Sequence, residues 1–133
     1  MPPQGVACPC GRLDGRARPL AFAQCCGRYL GGHEAAPDAA SLMRSRYTAY
    51  VLGDEPYLLA TWHPSTRPAQ VPLESGAKWL GLEVRDQREL DAAHAEVEFV
   101  ARYKAESRAV RLRERSRFVR EGGRWYYVDG ELL

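Results

Sequence analysis

No stretch of this chain approaches the roughly 18 consecutive apolar residues that a membrane-spanning helix needs, so the sequence holds no candidate helical span. The opening MPPQGVACPCG has no basic segment leading into an apolar core. An export signal is therefore not expected, and the cytoplasm is the expected address. Charge of one sign is also scarce: 19 Lys and Arg against 17 Asp and Glu leave a formal charge of +2. That is too little to draw nucleic acid by bulk electrostatics, and only the local placement of arginine keeps such a partner in view. There is no phosphate-cradling glycine loop, no nucleophile elbow and no histidine-rich catalytic metal motif, so no reaction type follows from a motif alone. Internal repeats and low-complexity tracts are missing too. What is present is 133 residues, 45% hydrophobic and 27% charged, the balance of one folded domain with room for a small appendage.

The chain divides by texture. Residues 1–33 carry all four cysteines and six of the twelve glycines, with almost no periodic apolar pattern. Such a segment cannot bury a core alone and calls for a staple. From Asp38 the pattern turns helical. Asp38 serves as N-cap, the helix runs through Leu42, Met43, Tyr47 and Val51, and Gly53 ends it. Asp54 caps a shorter helix from Glu55 to about Thr61, with Pro56 in its first turn and Pro64 beyond its end. Pro64, Pro68, Pro72 and Gly76 make the next stretch a loop with room for one helical turn.

The last 55 residues alternate in the manner of strands. Leu80, Leu82 and Val84 mark one strand, and Val97, Phe99, Ala101 and Tyr103 the next. Val110, Leu112 and Phe118 share a parity with Glu114 and Ser116, opposed to Arg111, Arg113, Arg115 and Arg117. A final strand covers Trp125 to Asp129. Helices followed by an antiparallel meander predict an α+β fold with helices on one face of a curved sheet. Register follows from placing both apolar sets on one face. At the hairpin around Ala105–Arg108, Phe99 then pairs with Glu114 and Ala101 with Leu112, while Glu98 meets Arg115 and Glu96 meets Arg117 outside. At the Gly122-Gly123 turn the same logic pairs Phe118 with Trp125 and Ser116 with Tyr127, and sets Glu114 opposite Asp129.

Cys8, Cys10, Cys25 and Cys26 form the pattern C-x-C-x14-C-C. Four thiolates suit one structural, closed tetrahedral zinc ion. Gly11 and Gly27 allow the chain to turn after each pair. Adjacent cysteines rarely bridge each other, and C-x-C is not the C-x-x-C redox motif, so a disulfide or redox pair is the weaker alternative.

CPCG followed by Cys-Cys resembles the SEC-C motif, a zinc knuckle found at the C-terminus of the SecA translocation ATPase and in many small bacterial proteins. LMRSRYTAYVLGD, TWHPS, WLGLEV, ERSRF and WYYVDG, in that order, resemble the YchJ-like family of bacterial proteins. The resemblance implies a knuckle over residues 1–33 and, over 34–133, a nuclear-transport-factor-2-like cone of curved antiparallel sheet with helices on its concave face. Fourteen residues separate the cysteine pairs here, against about eight in the usual knuckle, and Arg12 stands where serine is common. The insertion is expected to bulge outward and leave the metal site intact.

Within the cone, Arg44, Tyr47, Trp62, Ser116 and Tyr127 are the expected pocket residues. His63 is an acid–base candidate because imidazole titrates near neutrality. The alternative is a histidine that caps the short helix or satisfies a backbone carbonyl. Glu114 and Asp129 would form a carboxylate pair able to share a proton. Alternatively, Glu114 would bind Arg44 or Arg46 and lock helix to sheet. The arginine stripe on the outer face could hold RNA, but Glu96 and Glu98 answer two of its members. The leading expectation is a non-enzymatic module whose knuckle, with Arg12, Arg16, Arg18 and Arg28, meets a protein partner. The alternatives are a small-molecule pocket with hydrolase or isomerase chemistry at His63 and Glu114, and RNA binding.

Overall fold

A computed structural model describes residues 5–73 and 77–133. Gly76 of the proline-rich loop and the first four residues lie outside the described residues. The two main helices form where their caps require. Helix α2 (Ala39–Leu52) starts at Asp38, whose carboxylate accepts the Ser41 amide at 2.7 Å, and stops at Gly53 with φ 72°. Helix α3 (Glu55–Ala60) starts at Asp54, which accepts the Tyr57 amide at 3.2 Å. Each cap satisfies an amide that the first helical turn leaves without a partner. Ahead of these, a 3-10 turn (Phe22–Gln24) and a one-turn helix α1 (Gly27–Leu30) shape the segment around the second cysteine pair. The sequence pattern did not reveal either of them.

Four strands follow as a meander: β1 (Lys78–Asp91), β2 (His94–Ala105), β3 (Arg108–Glu121) and β4 (Arg124–Leu132), antiparallel in the order β1-β2-β3-β4. The β2–β3 register is the expected one, with Phe99 opposite Glu114, Ala101 opposite Leu112, Glu98 opposite Arg115 and Glu96 opposite Arg117. The β3–β4 register is not. Phe118 faces Tyr127, Ser116 faces Gly130, Glu114 faces Leu132, and Asp129 lies opposite Arg117.

Two physical causes account for the difference. Gly122 and Gly123 both have positive φ, 58° and 79°, as the two central residues of a tight primed turn require, so Glu121 must pair with Arg124. Between Arg117 and Phe118 the ladder then slips by one residue, a bulge that reverses the facing of the rest of β4. Asp129 consequently reaches Arg117 at 2.6 Å on the outer face. The Glu114–Asp129 carboxylate pair does not form.

Helix α2 is enclosed on several sides, which explains why so few of its residues are polar and exposed. Met43, Arg46, Tyr47 and Tyr50, at helical spacing, face the sheet and line a cavity there. Ser41, Arg44 and Thr48 face the cysteine segment, through Arg12 to Ser41 Oγ at 3.0 Å, Arg44 to the Cys10 carbonyl at 3.1 Å, and the Cys8 Sγ–Thr48 Oγ1 contact at 3.8 Å. The four cysteines, Phe22 and Tyr29 therefore share one continuous buried cluster with Leu42, Tyr47, Val97, Phe99 and Phe118.

Candidate functional site: a cysteine knuckle and an aromatic cone

Short backbone ties shape the knuckle. The Cys8 amide bonds the Leu20 carbonyl at 2.9 Å and the Gly11 amide bonds that of Cys8 at 3.1 Å, with Gly11 at φ 75°. The C-terminal pair lies at the entry to α1. All four cysteines are buried and unbridged, and their sulfurs lie within 4.8 Å of one another. Cys10 and Cys25 sulfurs are 3.6 Å apart. A tetrahedron of thiolates around a zinc ion at about 2.3 Å has edges of about 3.8 Å, whereas a disulfide needs about 2.05 Å. The donor set and its spacing thus fit a four-coordinate metal.

The bare cluster is electrostatically unbalanced. Hydrogen bonds from Cys10, Cys25 and Cys26 hold the Cys8 thiol far below its ordinary range, and Cys25 lowers Cys10 to about 7. Cys25 and Cys26 are pushed up, each chiefly through its contact with Cys10. Four buried sulfurs cannot all be thiolates without a cation among them.

The insertion between the cysteine pairs folds into a small hairpin-like projection. Leu13 bridges Pro19, Ala7 bridges Ala21, and Asp14 accepts the amides of Arg16 and Arg18 at 2.7 and 3.0 Å. Leu13, Arg16 and Arg18 are exposed at its tip.

The second site is a cavity of about 330 Å³ between α2 and the concave face of the sheet. Its walls are apolar and aromatic: Tyr47 packs edge-on to Trp79 at 5.5 Å, and Trp79 meets Tyr103 at 5.0 Å. Phe99, Ala101, Leu112 and Phe118 supply the sheet side. Arg46, Glu114 and Ser116 form its polar floor, beside the phenols of Tyr50 and Tyr127. Arg46 is only 5% exposed. Its guanidinium lies over both the Trp62 and Tyr127 rings, at 5.0 and 4.5 Å from their centroids. One nitrogen, Nη1, donates to the Leu58 carbonyl at 2.8 Å and to Thr61 Oγ1 at 2.7 Å. Burial lowers its pKa, and burial raises that of Tyr127 to about 12. Glu114 accepts the Ser116 hydroxyl at 2.6 Å. Its carboxylate rests against Gly130, where a Cβ would come within 2.6 Å of Oε2.

The family profile described as "YchJ, middle NTF2-like domain" matches residues 38–130. The chain belongs to the YchJ-like family. Among its relatives, a UPF0225 protein of Polaromonas sp. JS666 is 65% identical over 130 residues, covering 96% of this chain and 94% of the relative. A UPF0225 protein of Bordetella parapertussis is 52% identical over 134 residues, covering 98% and 96%. Two solved structures are similar throughout. A SEC-C motif containing protein of Rhodopseudomonas palustris has a TM-score of 0.80 at 30% identity, covering 96% of this chain and 99% of its own. Another from Psychrobacter arcticus has a TM-score of 0.79 at 28% identity, covering 98% and 85%. Both are described by the motif that the cysteines here resemble.

Set in this YchJ-like frame, the expected pocket residues separate. Tyr47, Ser116 and Tyr127 line the cavity, and Trp62 stands behind Arg46 instead of on the wall. Arg44 is a correction: two residues along a helix is about 200° around it, and its side chain turns to the Cys10 carbonyl. Neither Arg44 nor Arg46 forms an ion pair with Glu114 among the described residues.

His63 does not line the cavity either. Its amide bonds the Tyr127 carbonyl at 2.8 Å, its Nδ1 accepts the Ser65 amide at 3.1 Å, and its Nε2 meets Glu121 at 2.9 Å. Both ring nitrogens are thus engaged, Nε2 at the end of β3 and Nδ1 by the loop that follows α3, and neither meets Glu114. On the outer face, Arg113 and Arg115 bind Glu98 at 2.8 and 3.1 Å and Arg117 binds Asp129. The main residues missed from sequence are Arg46 as a cavity group and Gly130 as the backbone against which the Glu114 carboxylate rests. The i, i+3, i+4, i+7 spacing of Met43, Arg46, Tyr47 and Tyr50 was a signal for the first. Gly130 had none, because its role depends on the bulge.

No helix among the described residues is long and apolar enough to cross a membrane.

Proposed function

We propose that this chain is a small-molecule-binding protein whose cone holds the ligand and whose cysteine knuckle carries a structural zinc ion. The observation that carries the reading is the cavity, with aromatic walls and a compact polar floor at its base. Such a combination of apolar lining and few convergent polar groups is what ligand sites in proteins have in common. The zinc is held by Cys8, Cys10, Cys25 and Cys26 and has no open coordination position, so it neutralises and staples instead of catalysing. Through Arg12, Arg44 and Thr48 the stapled segment sets α2, and α2 sets one wall of the cone. Proteins of the same architecture and motif in two other bacteria support the pairing of knuckle and cone.

The test is titration with N-phenyl-1-naphthylamine, a neutral dye that fluoresces in apolar sites. Wild type binds it at one site per chain, and Ala77→Trp, which places an indole in the lining, weakens binding at least tenfold. Equal binding by both proteins would overturn the cone as the site. Native mass spectrometry with elemental analysis tests the metal, with one zinc per chain expected.

A second reading is favoured by the projection between the cysteine pairs. Exposed Leu13 with Arg16 and Arg18 on a stapled loop suits an acidic protein partner. A partner of that kind is lost in Arg16→Glu and kept in Glu114→Gln. The opposite pattern would discard the knuckle as the contact.

A further inference from the structure

The floor of the cone specifies more than a ligand of the right size. Among the described residues, Arg46 and Glu114 are the only charged side chains in its lining, and their charges are opposite. No ion pair joins them, although the Glu114 carboxylate favours the Arg46 charge through space. Two such groups in one largely apolar cavity would gain by direct contact. Here the Nη1 bonds to Leu58 and Thr61 tie the guanidinium on the helix side, and the Ser116 hydroxyl and the space over Gly130 hold the carboxylate on the sheet side.

Each group keeps unused bonding capacity. Both recorded hydrogen bonds of Arg46 leave from Nη1, so Nε and Nη2 have no protein partner among the described residues. Among the described residues, no buried side-chain nitrogen or oxygen lacks a partner. Those two nitrogens therefore touch open space, and Arg46 is one of the residues that line the cavity. Glu114 in turn accepts one side-chain bond among the described residues, at Oε2, so Oε1 is left to accept.

We propose that the cone selects a neutral, planar aromatic molecule bearing a lactam or amide edge, with its carbonyl toward Arg46 and its N–H toward Glu114. The inference rests on the reading of the cone as a ligand site. A carboxylate or phosphate would gain Arg46 but meet the Glu114 charge, and an amine would do the reverse. A neutral edge with an acceptor beside a donor satisfies both, and leaves neither group without a partner. The planar body is what the walls of Tyr47, Trp79 and Tyr103 favour, through offset and edge-on ring contacts.

The experiment uses the zinc-loaded chain and calorimetric titration with three bicyclic probes of nearly equal shape. These are 2-quinolone, 1-methyl-2-quinolone, which lacks the N–H, and quinoline-2-carboxylate, which is anionic. Wild type binds 2-quinolone best. Methylation weakens binding about tenfold or more, the loss of one hydrogen bond to a charged group.

Two variants probe Glu114 without touching the buried arginine, whose replacement endangers the fold. Gly130→Ala pushes the carboxylate aside, moving only the end of a flexible side chain, and lowers 2-quinolone affinity about tenfold. Glu114→Gln narrows the preference for 2-quinolone over quinoline-2-carboxylate by about tenfold, because the repulsion of the anion disappears. Tighter binding of the carboxylate by wild type, or a preference unchanged in Glu114→Gln, overturns the proposal. If the naphthylamine dye binds in the cone but 2-quinolone neither binds nor displaces it, the ligand class falls and the cone remains a ligand site. If the dye fails as well, both readings fall.

Discussion

Replacing Arg46 by methionine tests the clamp that joins helix, hairpin and cone. Methionine keeps most of the side-chain volume and removes the charge. The variant loses two charge-assisted bonds, to the Leu58 carbonyl at 2.8 Å and to Thr61 Oγ1 at 2.7 Å. Each such bond contributes about 1.5–3 kcal/mol. It also loses cation–π contacts with Trp62 and Tyr127, worth about 0.5–2 kcal/mol each when desolvated. Against this stands relief from burying a guanidinium, the same burial that lowers its pKa, which returns about 1–4 kcal/mol. The net expectation is a destabilisation of about 4–5 kcal/mol. For a chain of 133 residues that corresponds to a fall in Tm of about 16 °C. Urea denaturation followed by circular dichroism, with zinc present throughout, measures it. Arg44→Met is the control: it loses one bond to the Cys10 carbonyl from a half-buried position, and should cost about 1 kcal/mol. If Arg46→Met lies within 1 kcal/mol of wild type, or matches Arg44→Met, the clamp reasoning is wrong.

Removal of the metal by a chelator, or by Cys25→Ser, should abolish the single cooperative transition or lower it steeply, since the cysteines share one buried cluster with α2 and the sheet. Survival of the sheet transition with an unchanged midpoint would show that the two parts are energetically separate. Asp38→Ala removes the cap on the Ser41 amide and should cost about 1 kcal/mol, read from the urea midpoint, whereas no change would mean the cap is replaced by water. Gly123→Ala places a Cβ at φ 79° and should cost about 1–2 kcal/mol by the same measurement; a neutral result would mean that the turn relaxes to another type.

Burial raises the phenols of Tyr47, Tyr57 and Tyr127 to about 12. The folded chain then holds protons that the unfolded chain releases from about pH 10 upward, so stability is intact below pH 10 and falls between 10 and 12. Ultraviolet titration should show at least three tyrosines ionising together with unfolding. Their ionisation in a still-folded chain near pH 10 would contradict the assignment.

Much of the fold was legible because local chemistry determined it. Asp38, Gly53 and Asp54 mark helix ends whatever surrounds them, since capping is a property of backbone groups left unpaired. The alternation along β2 and β3 carried enough apolar contrast to set their register. The same argument failed one strand later. Parity places side chains on faces only while the ladder stays regular, and the slip at Arg117 and Phe118 turned Asp129 outward. The site was harder to read for a related reason. Arg44 and Arg46 look alike in the string, and their separation by two residues sends one to the knuckle and the other to the cone. His63 was an acid–base candidate because imidazole titrates near neutrality, with a structural role as the alternative, and its ring nitrogens are taken up by Ser65 and Glu121.

By itself, then, the sequence determined the identity and spacing of the clustered thiols, the ends of α2 and α3, the strands and the β2–β3 hairpin. All of these rest on contacts or propensities within a few residues, or on a periodic pattern. Tertiary structure alone decided which arginine lies in the cavity, that Glu114 takes Ser116 and the space beside Gly130 as its setting, and that the knuckle packs onto α2. Those outcomes depend on a bulge, on helix rotation and on packing between segments as far apart in the chain as Arg46 and Tyr127. A linear pattern carries no record of such distances, and they are fixed only when the chain closes on itself.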